Sequence, residues 1–199
     1  MNRPAILTPT SGPAHTGRKL IGTTEELEAS LATLVHLIDG HQSFLVVSHA
    51  SPDGDAVGST LAMGLLLEAL GKDVIFFNRD PIPYNFQFLS GAQKWRTEID
   101  ADEKVDVTVV LDCAEKHRIG EDFPSHGWGE KIVVVDHHKT WDPDFAHVYL
   151  RDPTAAATGE LIYRLAERVG ILDQAIAENL YCCLMTDTGS FRYSNTSRA

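Results

Sequence analysis

A chain of 199 residues, 43% hydrophobic and 23% charged, has material for one well-packed domain with some excess. Its formal net charge of −11 excludes bulk attraction to a polyanion such as duplex DNA. A small phosphorylated ligand would need metal ions or a local basic patch. Cys113, Cys182 and Cys183 form no CxxC pair and no disulfide framework, so they read as buried thiols of a reducing compartment.

Residues 1–22, with their Pro, Thr and Gly, read as a disordered leader and lack the apolar core of a signal peptide. No apolar run has the length of a membrane span, so no membrane partner is expected and the expected location is cytoplasmic. Thr23 and Glu26 have capping-box spacing. Leu27, Leu31, Leu34, Val35 and Ile38 follow at helical intervals, which predicts a helix over 24–39 ended near Gly40. FLVVSH, 44–49, predicts a strand buried on both faces. From Gly54 to Leu70 the pattern is helical, and it stops at Gly71. DVIFFN, 73–78, is a second predicted strand, and the Pro-rich 79–92 a loop with a short helix at most. VDVTVVLDC, 105–113, and KIVVVDHH, 131–138, predict two more strands, and AHVYL, 146–150, an edge strand. Residues 155–169 and 173–187 read as helices interrupted at Gly170.

Strands alternating with helices argue for an α/β fold, a mostly parallel sheet flanked by helices. Such sheets bind ligands outside the carboxyl ends of their strands. His49, Asp112 and Asp136 each end a predicted strand. A parallel sheet therefore brings His49, Asp53, Asp55, Asp112 and the run Asp136-His137-His138 to one edge. Crowded carboxylates repel one another unless they are protonated or neutralised by cations. Mixed carboxylate and imidazole donors suit divalent metals of the manganese or iron kind. One ion would leave several charges unpaired. Two ions about 3.5–4 Å apart, sharing a carboxylate, would use them all and polarise a water for attack at phosphorus.

Each residue alone has an ordinary reading. Asp53 or Asp55 could cap the following helix, Asp112 could be a turn residue, and His137 and His138 could be surface histidines. His117, His126 and His147 keep that ordinary reading, since nothing places them on the same edge. The convergence of strand ends is what points to function.

SHASPDGDAVGS (48–59), VVLDCA (109–114), VVVDHHKT (133–140) and LMTDTGSFRYSNTS (184–197) resemble the four motifs of the DHH phosphoesterase family. The resemblance runs over about 23–197, which would form the catalytic domain, and is nearest to the bacterial nano-RNase and 3′-phosphoadenosine-5′-phosphate phosphatase branch. RecJ-type exonucleases and family II inorganic pyrophosphatases are more distant. The resemblance implies a manganese-dependent hydrolase, an oligoribonuclease, exonuclease and phosphatase. Its substrates would be short single-stranded RNA, adenosine 3′,5′-bisphosphate or related small nucleotides. It implies that His49, Asp53 and Asp112 hold a first ion. Asp55, Asp112, His137 and Asp187 would hold a second, with Asp112 as bridge. Asp187 enters only through the resemblance. Asp136 would orient a histidine ligand, His138 would touch the scissile phosphate, and Arg192 would be a phosphate contact. Gly54 and Gly58 are expected to let the backbone turn tightly.

Enzymes of this branch carry a second domain that grips the nucleotide, and nothing here matches it. A fragment of a longer protein is the expectation, and a homodimer is compatible with the resemblance. Two other functions compete: an inorganic pyrophosphatase, and a non-catalytic nucleotide-binding domain. The intact donor set speaks against the second.

Overall fold

The computed structural model describes residues 24–100, 102–120 and 129–196. The expected leader lies outside them. The described chain runs α1 (Thr24–Gly40), β1 (Ser43–Ser48), α2 (Gly54–Ala69), β2 (Asp73–Phe77), β3 (Trp95–Arg96), β4 (Val107–Leu111), β5 (Lys131–Asp136), β6 (Val148–Arg151), α3 (Thr158–Val169) and α4 (Gln174–Asp187). Short 3-10 turns lie at Tyr84–Phe86, Ala92–Lys94 and Lys116–Arg118. Among the described residues, no helix is long and apolar enough to cross a membrane.

The predicted elements are present, with informative shifts at their ends. β4 stops at Leu111 because Asp112 turns into the left-handed region, φ 54°. β5 ends at Asp136, and the two histidines leave the ladder. α3 starts at Thr158, later than the pattern suggested, because Ala157 is still extended. β3 was not foreseen, since two residues are too few to carry a periodicity.

The strands form one sheet in the order β3-β2-β1-β4-β5-β6, and every ladder is parallel. Alternation along each strand divides the core. Phe44, Val46, Val109 and Val133 face one side, with Leu31, Leu61, Leu161 and Leu180 from the four helices. Leu45, Val47, Val110 and Val134 face the other. That second face is covered by Ala114 and Ile119 from the β4–β5 connection and by Phe145 from the β5–β6 connection. Among the described residues the helices therefore cover a single face. The strand order supplies a reason. From β1 the chain steps one way to β2 and, after β4, the other way to β5. Right-handed crossovers then fall on opposite faces, and among the described residues only the first carries an α-helix.

The direction of winding reverses between β1 and β4, so their carboxyl ends open a crevice. Close packing of α2 on α4 sets its depth. A Cβ at Gly54 would come within 2.3 Å of Thr186, and one at Gly58 within 2.6 Å of the Asn179 carbonyl and the Cys183 sulfur. Neither glycine has a positive φ. Their role is close helix approach, which corrects the expectation of a tight turn.

Candidate metal centre

The crevice collects donors from four places. His49 follows β1, and Asp53 and Asp55 sit at the N-terminal end of α2. Asp112 follows β4, and His137 and His138 follow Asp136 at the end of β5. Asp187 is the last residue of α4. Three groups place their donor atoms within 4.8 Å of one another: His49, Asp53 and Asp112; Asp55, His137 and Asp187; and Asp112, His137 and His138. Asp112 belongs to two of these groups, and its left-handed backbone, uncommon for a residue with a side chain, aims its carboxylate back over the sheet end.

Both inward histidines are oriented in the same way. His49 Nδ1 lies 2.8 Å from the Ala50 carbonyl, and His137 Nδ1 lies 3.2 Å from the Ala155 carbonyl. A carbonyl only accepts, so each Nδ1 carries the proton, and in the neutral ring Nε2 keeps its lone pair. Those lone pairs meet carboxylates. His49 Nε2 is 3.5 Å from Asp112 and 3.9 Å from Asp53. His137 Nε2 is 3.7 Å from Asp55, 3.8 Å from Asp112 and 3.6 Å from Asp187. Acceptors facing acceptors at these distances are the arrangement that a divalent cation reconciles.

Burial sharpens the conflict. Asp55 is 1% exposed and Asp112 2%. Desolvation pushes the Asp112 carboxyl well above the usual range, and the charges of Asp55, Asp53 and Asp136 add to it. Desolvation also raises Asp55, against the pull of His137, and raises Asp187. The residues present fit a site for divalent metal: carboxylates too crowded to ionise together, and imidazoles with bare nitrogens turned toward them.

His138 differs from its neighbour. Its Nδ1 is bound to Asp136 Oδ1 at 2.7 Å, and its backbone N–H donates to Asp136 Oδ2 at 3.2 Å. That same nitrogen is the one 3.5 Å from Asp112. A ring nitrogen whose proton is held by a carboxylate cannot also ligate a metal, so only Nε2 of His138 is left for other chemistry. The bond to Asp136 raises the pKa of this ring.

Of the sequence-predicted residues, His49, Asp53, Asp55, Asp112, His137, His138 and Asp187 come together. Asp136 lies directly beneath them, fully buried. Arg192 offers no metal donor. It sits on the exposed segment after α4, and its guanidinium has no ion pair among the described residues. Sequence reading missed two supporting residues. Thr158 donates its hydroxyl to Asp112 Oδ1 at 2.9 Å, and Asn195 donates to Asp187 Oδ2 at 3.1 Å. Thr158 follows three alanines and carries no motif. Asn195 lay inside the fourth motif, eight residues past Asp187, without a signal of its own. The three thiols are buried, as expected, and burial pushes Cys113 up to about 12 and Cys182 to about 11, which leaves them inert at neutral pH.

The chain is similar to the bifunctional oligoribonuclease and PAP phosphatase NrnA of Thermus thermophilus. They are 34% identical over 153 residues, 76% of this chain and 45% of that protein. It is also similar to a manganese-dependent inorganic pyrophosphatase of Methanothrix thermoacetophila, 24% identical over 150 residues, 74% of this chain and 48% of that protein. Among solved structures, an exopolyphosphatase-related protein from Bacteroides fragilis superposes with a TM-score of 0.78 at 27% identity, over 91% of this chain and 54% of that one. The chain thus spans about half the length of these relatives. The family model described as the N-terminal domain of the DHH family matches residues 43–186, and the chain belongs to the DHH family.

Proposed function

We propose that this chain carries the catalytic centre of a divalent-metal-dependent phosphoester hydrolase. Its substrates would be very short oligoribonucleotides and adenosine 3′,5′-bisphosphate. The observation that carries the reading is the shared orientation of His49 and His137, each with Nδ1 on a backbone carbonyl and Nε2 turned to buried carboxylates. The name of the Thermus relative supports the substrate class. The net charge of −11 favours small substrates over long duplexes.

In this reading two ions, manganese above all, would be held by His49, Asp53 and Asp112 and by Asp55, Asp112, His137 and Asp187. Bound divalent metal would neutralise the carboxylates, offset charge on the phosphate and bring the pKa of a water near neutrality. The remaining roles belong to the chain. Asp136 fixes His138, whose Nε2 is left to meet a phosphate oxygen. The raised pKa of that ring favours a charged donor where negative charge develops. Thr158 and Asn195 hold Asp112 and Asp187 in place. Arg192, exposed and without an ion-pair partner among the described residues, is a further contact for phosphate.

The test is hydrolysis of a diribonucleotide, adenosine 3′,5′-bisphosphate and pyrophosphate side by side, with manganese and with a chelator. Manganese-dependent release from the first two is expected. Preference for pyrophosphate would move the assignment to an inorganic pyrophosphatase, in line with the Methanothrix relative. Nucleotide binding without turnover of any substrate would make this a non-catalytic domain.

A further inference from the structure

Beside the cluster stands a partly buried cation that the proposed chemistry leaves unused. Arg151 ends β6 and pairs in register with Asp136 at the end of β5. Its side chain is 12% exposed. Nη2 donates to the His138 carbonyl, and Nε lies 3.7 Å from Asp136 Oδ2. The guanidinium sits 4.8 Å from the centre of the Trp141 ring. Trp141 in turn meets Tyr149 edge to face at 4.9 Å. The Tyr149 hydroxyl is fixed at both ends, donating to the Asp142 carbonyl and accepting from the Ala146 N–H. The arginine is therefore backed by Trp141, which is itself braced by Tyr149, a residue tied to the loop that follows His138.

Burying this group is unfavourable. Desolvation lowers its pKa, and Nε has no hydrogen-bond partner. An unbranched apolar side chain could fill the same space and pack on Trp141 without that cost. What only the guanidinium supplies is a rigid, permanently charged plane that donates from Nη2 to one acceptor and lies in ion-pair range of a second through Nε. Those acceptors are the two groups that define the pose of His138. One is its own carbonyl. The other is the carboxylate that accepts from its Nδ1 and from its backbone N–H. With Asp136 fully buried, no solvent substitutes at the carboxylate.

We propose that Arg151 is a positioning residue. It holds the Asp136 carboxylate and the His138 carbonyl so that the His138 ring keeps its Nδ1–H on Asp136 and presents Nε2 to the crevice. The catalytic consequence rests on the phosphoesterase reading above, while the positioning of the ring does not.

The experiment compares the full chain with Arg151→Met and Arg151→Lys, each also in a His138→Ala background. In metal-free protein, the hydrogen-bonded Nδ1–H of His138 is followed by proton–nitrogen NMR. Wild type should show a protected signal. Arg151→Met should lose it by exchange, and Arg151→Lys should keep it in part. With manganese and a dinucleotide, Arg151→Met should keep its metal and lose about 10–100-fold in kcat, with little change in KM. In the His138→Ala background the same substitution should cost nothing further. An unchanged signal in Arg151→Met would overturn the proposal, and so would an equal loss of kcat with and without His138. If wild type hydrolyses nothing, the functional reading fails and the NMR signal alone decides the role of Arg151. If Arg151→Met does not fold, as its melting curve would show, Arg151→Lys is read instead. A full-strength signal there counts against the proposal.

Discussion

Asp55 Oδ2 accepts the backbone N–H of Thr158 at 2.7 Å across 103 residues of sequence. Oδ1 accepts from Gly159 at 3.2 Å. A carboxylate on α2 thus caps α3, which has no capping side chain of its own at Ala157. The same carboxylate faces His137 Nε2. Metal site and helix start are one structural unit. Asp55→Ala should leave two buried N–H groups unpaired and lower stability by about 1–3 kcal/mol. Asp55→Asn keeps an acceptor for one of the two N–H groups and loses the charge, so it should cost less metal-free stability than Asp55→Ala, while the stabilisation gained on adding manganese shrinks. Thermal melts of both variants with and without manganese check this. Equal melting of the Ala variant and wild type would mean that Asp55 does not stabilise the start of α3.

His137 and His138 are sequence neighbours with rings 4.9 Å apart, yet they differ in what their Nδ1 atoms bind. His137→Ala should lose bound metal. His138→Ala should keep its metal and lose turnover by about 10²–10³-fold, the scale of a lost electrostatic stabiliser. Metal analysis and single-turnover rates on the same preparations separate the two. The reverse pattern would swap the roles.

How much of this was legible depended on the kind of signal. β1, β4 and β5 are apolar runs with acidic or imidazole ends, so their parallel alignment and shared edge could be read directly. His49, Asp112 and Asp136 needed nothing more than the direction of the chain. Asp187 could not be found that way, because it ends a helix whose exit toward the crevice depends on packing against Gly54 and Gly58. Thr158 was hidden for a related reason. Its helix is capped from another helix, and a long-range cap leaves no local pattern. Arg151 lies one residue past the predicted edge strand, 146–150, and only the register of β6 on β5 sets it beside Asp136.

Asp106 offers a test of the fold away from the site. Its Oδ2 accepts from Gln42 N–H at 3.0 Å and Ser43 N–H at 2.9 Å, tying the start of β1 to that of β4. These bonds, the one from Ser43 first, hold its pKa below the usual carboxylate range. A depressed pKa means that the native state binds this proton less readily than the unfolded chain does. The stabilisation is complete above the unfolded value near pH 4 and is lost as pH falls through the lower native value. Asp106→Asn should therefore melt below wild type at pH 6, with the gap closing toward pH 2. A gap that stays constant over that range would mean that the charge of Asp106 does not contribute.

In the proposed reading, the crevice between β1 and β4 would hold two divalent ions with Asp112 as a ligand to both. Calorimetric titration of manganese into the metal-free chain tests it most directly, with Asp112→Ala and Asp112→Asn run in parallel. Two ions per wild-type chain are expected, with both lost or severely weakened in Asp112→Ala. Asp112→Asn keeps the shape, loses the charge that offsets two cations, and should also bind poorly. Unchanged manganese binding by Asp112→Ala, or none by wild type, would rule out a two-ion site that depends on Asp112.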